Sequence, residues 1–181
     1  MTISKAVYHA SRNLNVEEFQ PRSASIRDPN EGAVVFATPS KALATMFMAN
    51  TSDSWVTCGL QNRVPYIVIS DRHRFEAGDH GGAIYTLPGD TFVADPSKGM
   101  GEMEVTSKSA VKPIAKQVYK SALAAMLEHG VQVYFVDKPT YKAINSSQDD
   151  GLSILQTLES ENQRLGINIM SFVPGSRTWP A

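Results

Sequence analysis

The sequence predicts an α+β fold in a single domain, with mixed or antiparallel sheets flanked by three or four helices. Three observations carry that prediction. The chain has 181 residues, 42% hydrophobic and 19% charged, so it holds enough apolar surface to offset the entropy of ordering its backbone. Roughly seven short strand-like runs and three or four helical ones occur without strict alternation, unlike a doubly wound sheet. No internal repeat, low-complexity tract or long linker divides the chain.

Taken in order, Ala6-Val7-Tyr8-His9 reads as a short strand, and Asn13-Leu14-Asn15 turns out of it. Pro21 to Gly32 is polar and punctuated by Asp28-Pro29, which marks a loop. Ala33-Val34-Val35-Phe36-Ala37 is an apolar, β-branched run of strand length. Thr38 is placed to cap a helix over Pro39 to Ala49, with Pro39 in its first turn and Leu43, Met46 and Phe47 facing the core. Trp55 to Leu60 and Tyr66 to Ser70 read as strands, and Asp71 to Gly82 as a charged loop. Ala83 to Leu87 is another strand, followed by the turn signal Pro88-Gly89-Asp90.

Asp95 to Gly101 is again a loop, leading into a strand over Glu102-Met103-Glu104-Val105-Thr106-Ser107. Val118, Ala122, Leu123, Met126 and Leu127 mark an amphipathic helix from Val118 to His129, closed by Gly130 in a left-handed cap. Val131 to Val136 is a strand. A last helix from Gly151 to Leu165 buries Leu152, Leu155, Leu158 and Leu165, and Ser171 to Ala181 reads as coil.

The bulk properties exclude several classes of function. A net charge of −1 gives no overall field toward nucleic acid or an anionic membrane. No run approaches the ~20 apolar residues of a membrane span. The segment Met1 to Ala6 lacks the apolar region of a signal peptide, so a cytoplasmic protein is expected, with secretion that reads no such signal as the alternative. A lone cysteine, Cys58, precludes an intrachain disulfide and reads as a buried, inert strand residue. Lys108, Lys112, Lys116 and Lys120 recur every four positions, yet Pro113 argues against a continuous helical stripe.

The motifs that announce common chemistries are missing: no phosphate-cradling glycine loop, dinucleotide fingerprint or nucleophile elbow occurs. His73, Glu76, Asp79 and His80 share a segment without zinc-ligand spacing, so no metal is expected and they read as solvated. Two features remain. His9 alternates with Val7, so if Val7 faces the core, His9 emerges at the end of its strand beside any cleft there. Glu102 and Glu104 sit two apart, which on a strand projects both carboxylates to one face, where repulsion calls for solvent, a cation or a ligand hydroxyl.

These residues carry a resemblance. Tyr8-His9 followed by Ala10 and Ser11 resembles the first motif of the ADP-ribosyltransferase superfamily. Val34-Val35-Phe36-Ala37-Thr38-Pro39 leading to Ala42 and Phe47 resembles its second strand and following helix, and Glu104-Val105-Thr106-Ser107 its glutamate motif. The resemblance implies an ADP-ribosyltransferase-like fold with NAD, or a related nucleotide, as substrate. It also implies that His9 hydrogen-bonds a ribose hydroxyl, that Ser11 supports the adenosine ribose, and that Glu104 holds the nicotinamide ribose and stabilises the oxocarbenium-like cation. Glu102 matches a second glutamate that helps the incoming nucleophile in some relatives. The aromatic that stacks on nicotinamide, a tyrosine in the family, aligns with Phe36, with Tyr85 as the alternative. The implied activity is cleavage of the nicotinamide glycosidic bond and transfer of ADP-ribose to an unknown acceptor; the alternatives are an inactive nucleotide- or protein-binding member and an NAD hydrolase.

Overall fold

The computed structural model describes residues 6–23, 28, 30–49, 54–149 and 151–165, with side chains to 160. The readings of Met1 to Lys5, of the Leu165 side chain and of the 171–181 coil lie outside the described residues. The chain forms two compact units, each from two separate stretches: Met1–Met48 with His80–Ala122, and Ala49–Asp79 with Leu123–Ala181. Helices and sheets occur in both, so the α+β reading holds.

The first unit contains two three-stranded sheets. In one, β5 (Gly82–Pro88) lies between β1 (Ala6–Ser11) and β8 (Ala115–Tyr119), antiparallel to both. In the other, β7 (Val105–Ser107) lies between β2 (Val35–Ala37) and β6 (Val93–Ala94). A backbone bridge between Tyr8 and Thr38 (2.8 and 2.9 Å) joins the first sheet to the second. The core follows from alternation: Val7 is fully buried, and Val35, Ala37, Ala83, Tyr85, Leu87 and Val105 pack with it and with Phe19, Phe92 and Val111. Gly81 holds φ +68°, and a Cβ there would press on the Tyr119 backbone carbonyl, so only glycine fits where β5 meets β8.

Helix α1 (Lys41–Met46) is shorter than predicted, and its cap differs. Ser40, not Thr38, accepts the Leu43 N–H, while the Thr38 hydroxyl accepts from Ser40 N–H one turn earlier. Leu43 and Met46 are buried, but Phe47 is 58% exposed at the helix end and does not join the core. The predicted strand start at Glu102 is a 3₁₀ turn, Gly101–Met103; Glu104 follows it and the strand begins at Val105. Glu102 and Glu104 therefore do not alternate along one extended face. Val118 belongs to β8 and is exposed, and helix α3 (Ala122–Glu128) starts only after it; Gly130 adopts φ +81° as expected. Lys116 and Lys120 thus lie on and just beyond a strand, not on a helical stripe.

The second unit contains β3 (Val56–Gln61), β4 (Val64–Ile69) and β9 (Gln132–Phe135), with β4 central, antiparallel to β3 and parallel to β9. Asn62 and Arg63, both at positive φ, close the β3–β4 hairpin in the two-residue turn that suits strand twist. Pro65 is tolerated because the β9 ladder begins one residue later, at Tyr66↔Gln132. The segment read as a charged loop contains helix α2 (Arg72–Gly78), capped by Asp71 and burying Phe75. Helices α4 (Lys138–Asn145) and α5 (Leu152–Leu165) follow β9, and Tyr141, Ile144 and Leu155 pack with Tyr66, Val68 and Tyr134. The Tyr134 hydroxyl donates to Glu159 at 2.6 Å; burial, then the carboxylate it bonds, hold its pKa far above that of free tyrosine. Cys58, expected to be buried, is exposed on β3, which lies at one edge of this sheet and buries only Val56 of its six residues.

Candidate functional site

The sheet register assembles a cavity in the first unit. Tyr8 pairs with Thr38, and one residue back Ala37 pairs with Val105, so the residue before Val105 is carried toward β1. That residue is Glu104. Together Tyr8, His9 and Ala10 of β1, Phe36 to Thr38, Leu43, Ala44 and Phe47 of the helix, and Met100, Met103 and Glu104 line a cavity of about 370 Å³. Its size and largely apolar wall with few polar groups match small-ligand sites. His9 and Glu104, remote in sequence, thus line one cavity.

The state of His9 follows from its partner. Nδ1 lies 2.6 Å from the Phe36 carbonyl oxygen, which can only accept, so Nδ1 carries the proton and the neutral ring keeps Nε2 as an acceptor. Burial lowers the His9 pKa below 6.5; the Phe36 hydrogen bond opposes this, and the charge of Arg22 adds to it. The ring is also packed against Phe19 at 4.4 Å between centroids. At neutral pH His9 is a fixed, uncharged acceptor.

Glu104 sits where the 3₁₀ turn ends. Its backbone N–H bonds the Gly101 carbonyl, and its Oε2 accepts the Met100 N–H at 3.2 Å. A carboxylate held this way suits either of two tasks: accepting ligand hydroxyls or facing a developing positive charge.

The other predicted residues divide. Phe36 lines the cavity and anchors His9 through its carbonyl. Glu102 belongs to the 3₁₀ turn and is not among the lining residues. The Ser11 hydroxyl accepts the Asn13 N–H in a local turn at the end of β1, outside the cavity wall. Tyr85 is a structural residue. It is 1% exposed, its hydroxyl donates to the Asn13 carbonyl (2.9 Å) and accepts the Val16 N–H (3.1 Å), and its ring packs edge-on against Phe19. Tyr85 borders a separate hollow lined by Leu14 to Glu17 and Pro113 to Lys116.

Sequence reasoning missed the wall formed by Phe47, Met100 and Met103. Phe47 carried a helical-spacing signal that pointed to the core, and the methionines, in a glycine-rich segment, carried none. His73, Glu76 and His80 are exposed, and among the described residues no cluster of three metal-binding side chains occurs. No helix among them is long and apolar enough to cross a membrane. Compared with protein-family models, curated proteins and solved structures, the chain matches none, so what the site does rests on its own residues and geometry.

Proposed function

We propose that the chain is an ADP-ribosyltransferase-like protein that takes NAD as substrate in the His9–Glu104 cavity and transfers ADP-ribose to an acceptor. The observation that carries this reading is the convergence of a neutral imidazole acceptor and a carboxylate in one largely apolar cavity. A ribose offers hydroxyl donors that Nε2 of His9 and a Glu104 oxygen can accept, and Phe36 and Phe47 offer apolar surface to a flat base. In the reaction the C–N bond to nicotinamide breaks, its electron pair leaves with nicotinamide, and positive charge develops on the ribose. Glu104 is complementary to that charge, so it binds the transition state better than the ground state. The acceptor then bonds to the ribose carbon and gives up its proton.

A second reading is a non-catalytic nucleotide- or protein-binding module. It is favoured by Phe36 in place of a tyrosine and by the position of Ser11 and Tyr85 away from the cavity. Calorimetric titration with NAD tests both. Saturable binding weakened in His9→Ala supports the NAD site, and no binding at millimolar NAD removes the enzyme reading. Labelling of an acceptor by mass separates transfer from simple NAD hydrolysis.

A further inference from the structure

The segment that brings Glu104 to the cavity is built around one ammonium group. Lys98 Nζ lies 2.6 Å from Asp28 Oδ2 and 3.7 Å from Asp95 Oδ2, with Lys98 and Asp28 both partly exposed. Asp95 turns the chain locally: it accepts the Ser97 N–H (3.1 Å) and hydroxyl (2.6 Å), and its backbone carbonyl accepts the Lys98 N–H. From Lys98 the backbone bonds run forward in steps: Gly101 N–H to Lys98 O, Met103 N–H to Met100 O, and Glu104 N–H to Gly101 O. Gly99 (φ +49°) and Gly101 (φ +60°) let the segment double back on itself, and the result aims the Met100 N–H at the Glu104 carboxylate.

The turns within 95–104 are set locally, and strands β6 and β7 hold its two ends; between them the Lys98–Asp28 ion pair ties the segment to Asp28 of the same unit. Glycine-rich backbone is soft, and a further tether between its ends narrows its conformations. We propose that Lys98 is a positioning residue: clamped between Asp28 and Asp95, it holds the 95–104 segment so that the Met100 N–H fixes the Glu104 carboxylate in the cavity. This rests on Glu104 being the functional carboxylate, and it adds a residue that does not line the cavity.

The test separates the clamp from the activity. Amide exchange at Met100 is measured by NMR in the ligand-free wild type, in Lys98→Met, and in Lys98→Arg, which keeps a cation between Asp28 and Asp95. The clamp predicts a protected Met100 amide in the wild type, loss of protection in Lys98→Met and its retention in Lys98→Arg, with the thermal midpoint little changed. Turnover of NAD then shows kcat for nicotinamide release lowered roughly tenfold in Lys98→Met, with KM moved less, because a misaimed carboxylate costs transition-state stabilisation first. A Met100 amide that is unprotected in the wild type, or equally protected in Lys98→Met, overturns the clamp. A wild type that releases no nicotinamide removes the reading of Glu104 as catalytic, while the amide measurement still decides the clamp.

Discussion

Replacing Tyr85 by phenylalanine separates a structural from a ligand-binding role at one atom. The hydroxyl bridges two backbone groups of the turn after β1, the Asn13 carbonyl and the Val16 N–H, while the ring is buried against Phe19. Tyr85→Phe keeps the ring and orphans both groups. A fully buried orphan costs about 1–3 kcal/mol, but Asn13 is exposed and Val16 only half-buried, so water recovers part of the loss. The expected total is about 1.5 kcal/mol, below the roughly 2 kcal/mol minimum for two fully buried groups. For a chain of this size that lowers the thermal midpoint by roughly 3–6 °C. The assay is differential scanning calorimetry, with NAD titration of the same protein. Because Tyr85 lies outside the cavity, NAD affinity is expected to change less than about twofold, a fraction of a kcal/mol. An unchanged midpoint would refute the bridging role, and a folded Tyr85→Phe that no longer binds NAD, beside a wild type that does, would put the hydroxyl at the ligand.

Other perturbations test other parts of the account. Gly81→Ala places a Cβ on the Tyr119 carbonyl at positive φ and is expected to destabilise by about 3 kcal/mol or more. Gly32→Ala, also at positive φ but with open space around it, is expected to cost only about 1 kcal/mol; equal denaturant midpoints for the two would contradict the packing at the β5–β8 junction. Because the His9 pKa is lowered from 6.5, the stability its buried neutral ring contributes is complete above pH 6.5 and is lost as pH falls through the lowered value. NAD affinity should stay level from pH 8 through 6.5 and decline only as pH falls through the lowered value, a decline absent from His9→Ala; parallel pH profiles of the two would refute the acceptor role. Hydrogen bonds from Ser153, its side chain and then its backbone N–H, followed by Ser147 and the Gly151 N–H, hold the Asp149 carboxyl down at about 2, so its stabilisation is present above 3.8 and lost as pH falls through about 2. Asp149→Asn keeps one acceptor oxygen in place of two, so it should lose one of these bonds, lower the midpoint at neutral pH and flatten that acid limb of the midpoint-against-pH curve.

The elements legible in the sequence were those whose pattern matched their burial. The runs at β1, β2, β5 and β9 stood out because their apolar side chains are in the cores; His9 does line a cavity, though from within β1, which continues past the predicted strand end to Ser11. Helix α2 was hidden because only Phe75 of its seven residues is buried, leaving Asp71 as its one sign. Strand β8 exposes four of its five residues, so no alternation marked it, and Val118 fell by chance at helical spacing from Ala122. Which residues of a strand are covered is a long-range property, and that is why Cys58 was misjudged. Tyr85, offered as the alternative stacking aromatic, is a similar case: it pairs across strands with His9, but Phe19 and the 13–16 turn arrive from elsewhere in the chain to cover it. The position of Glu104 depended on register across three strands, which a motif can suggest and only the fold supplies.

The most direct measurement of the central claim is nicotinamide release from NAD by the wild type and by Glu104→Gln, with NAD affinity measured on both. The account predicts release by the wild type, and in Glu104→Gln a kcat lower by roughly 100-fold or more with affinity changed far less, as expected when a group acts mainly on transition-state charge. Release at equal rates by the two proteins, or none from a wild type saturated with NAD, would contradict it.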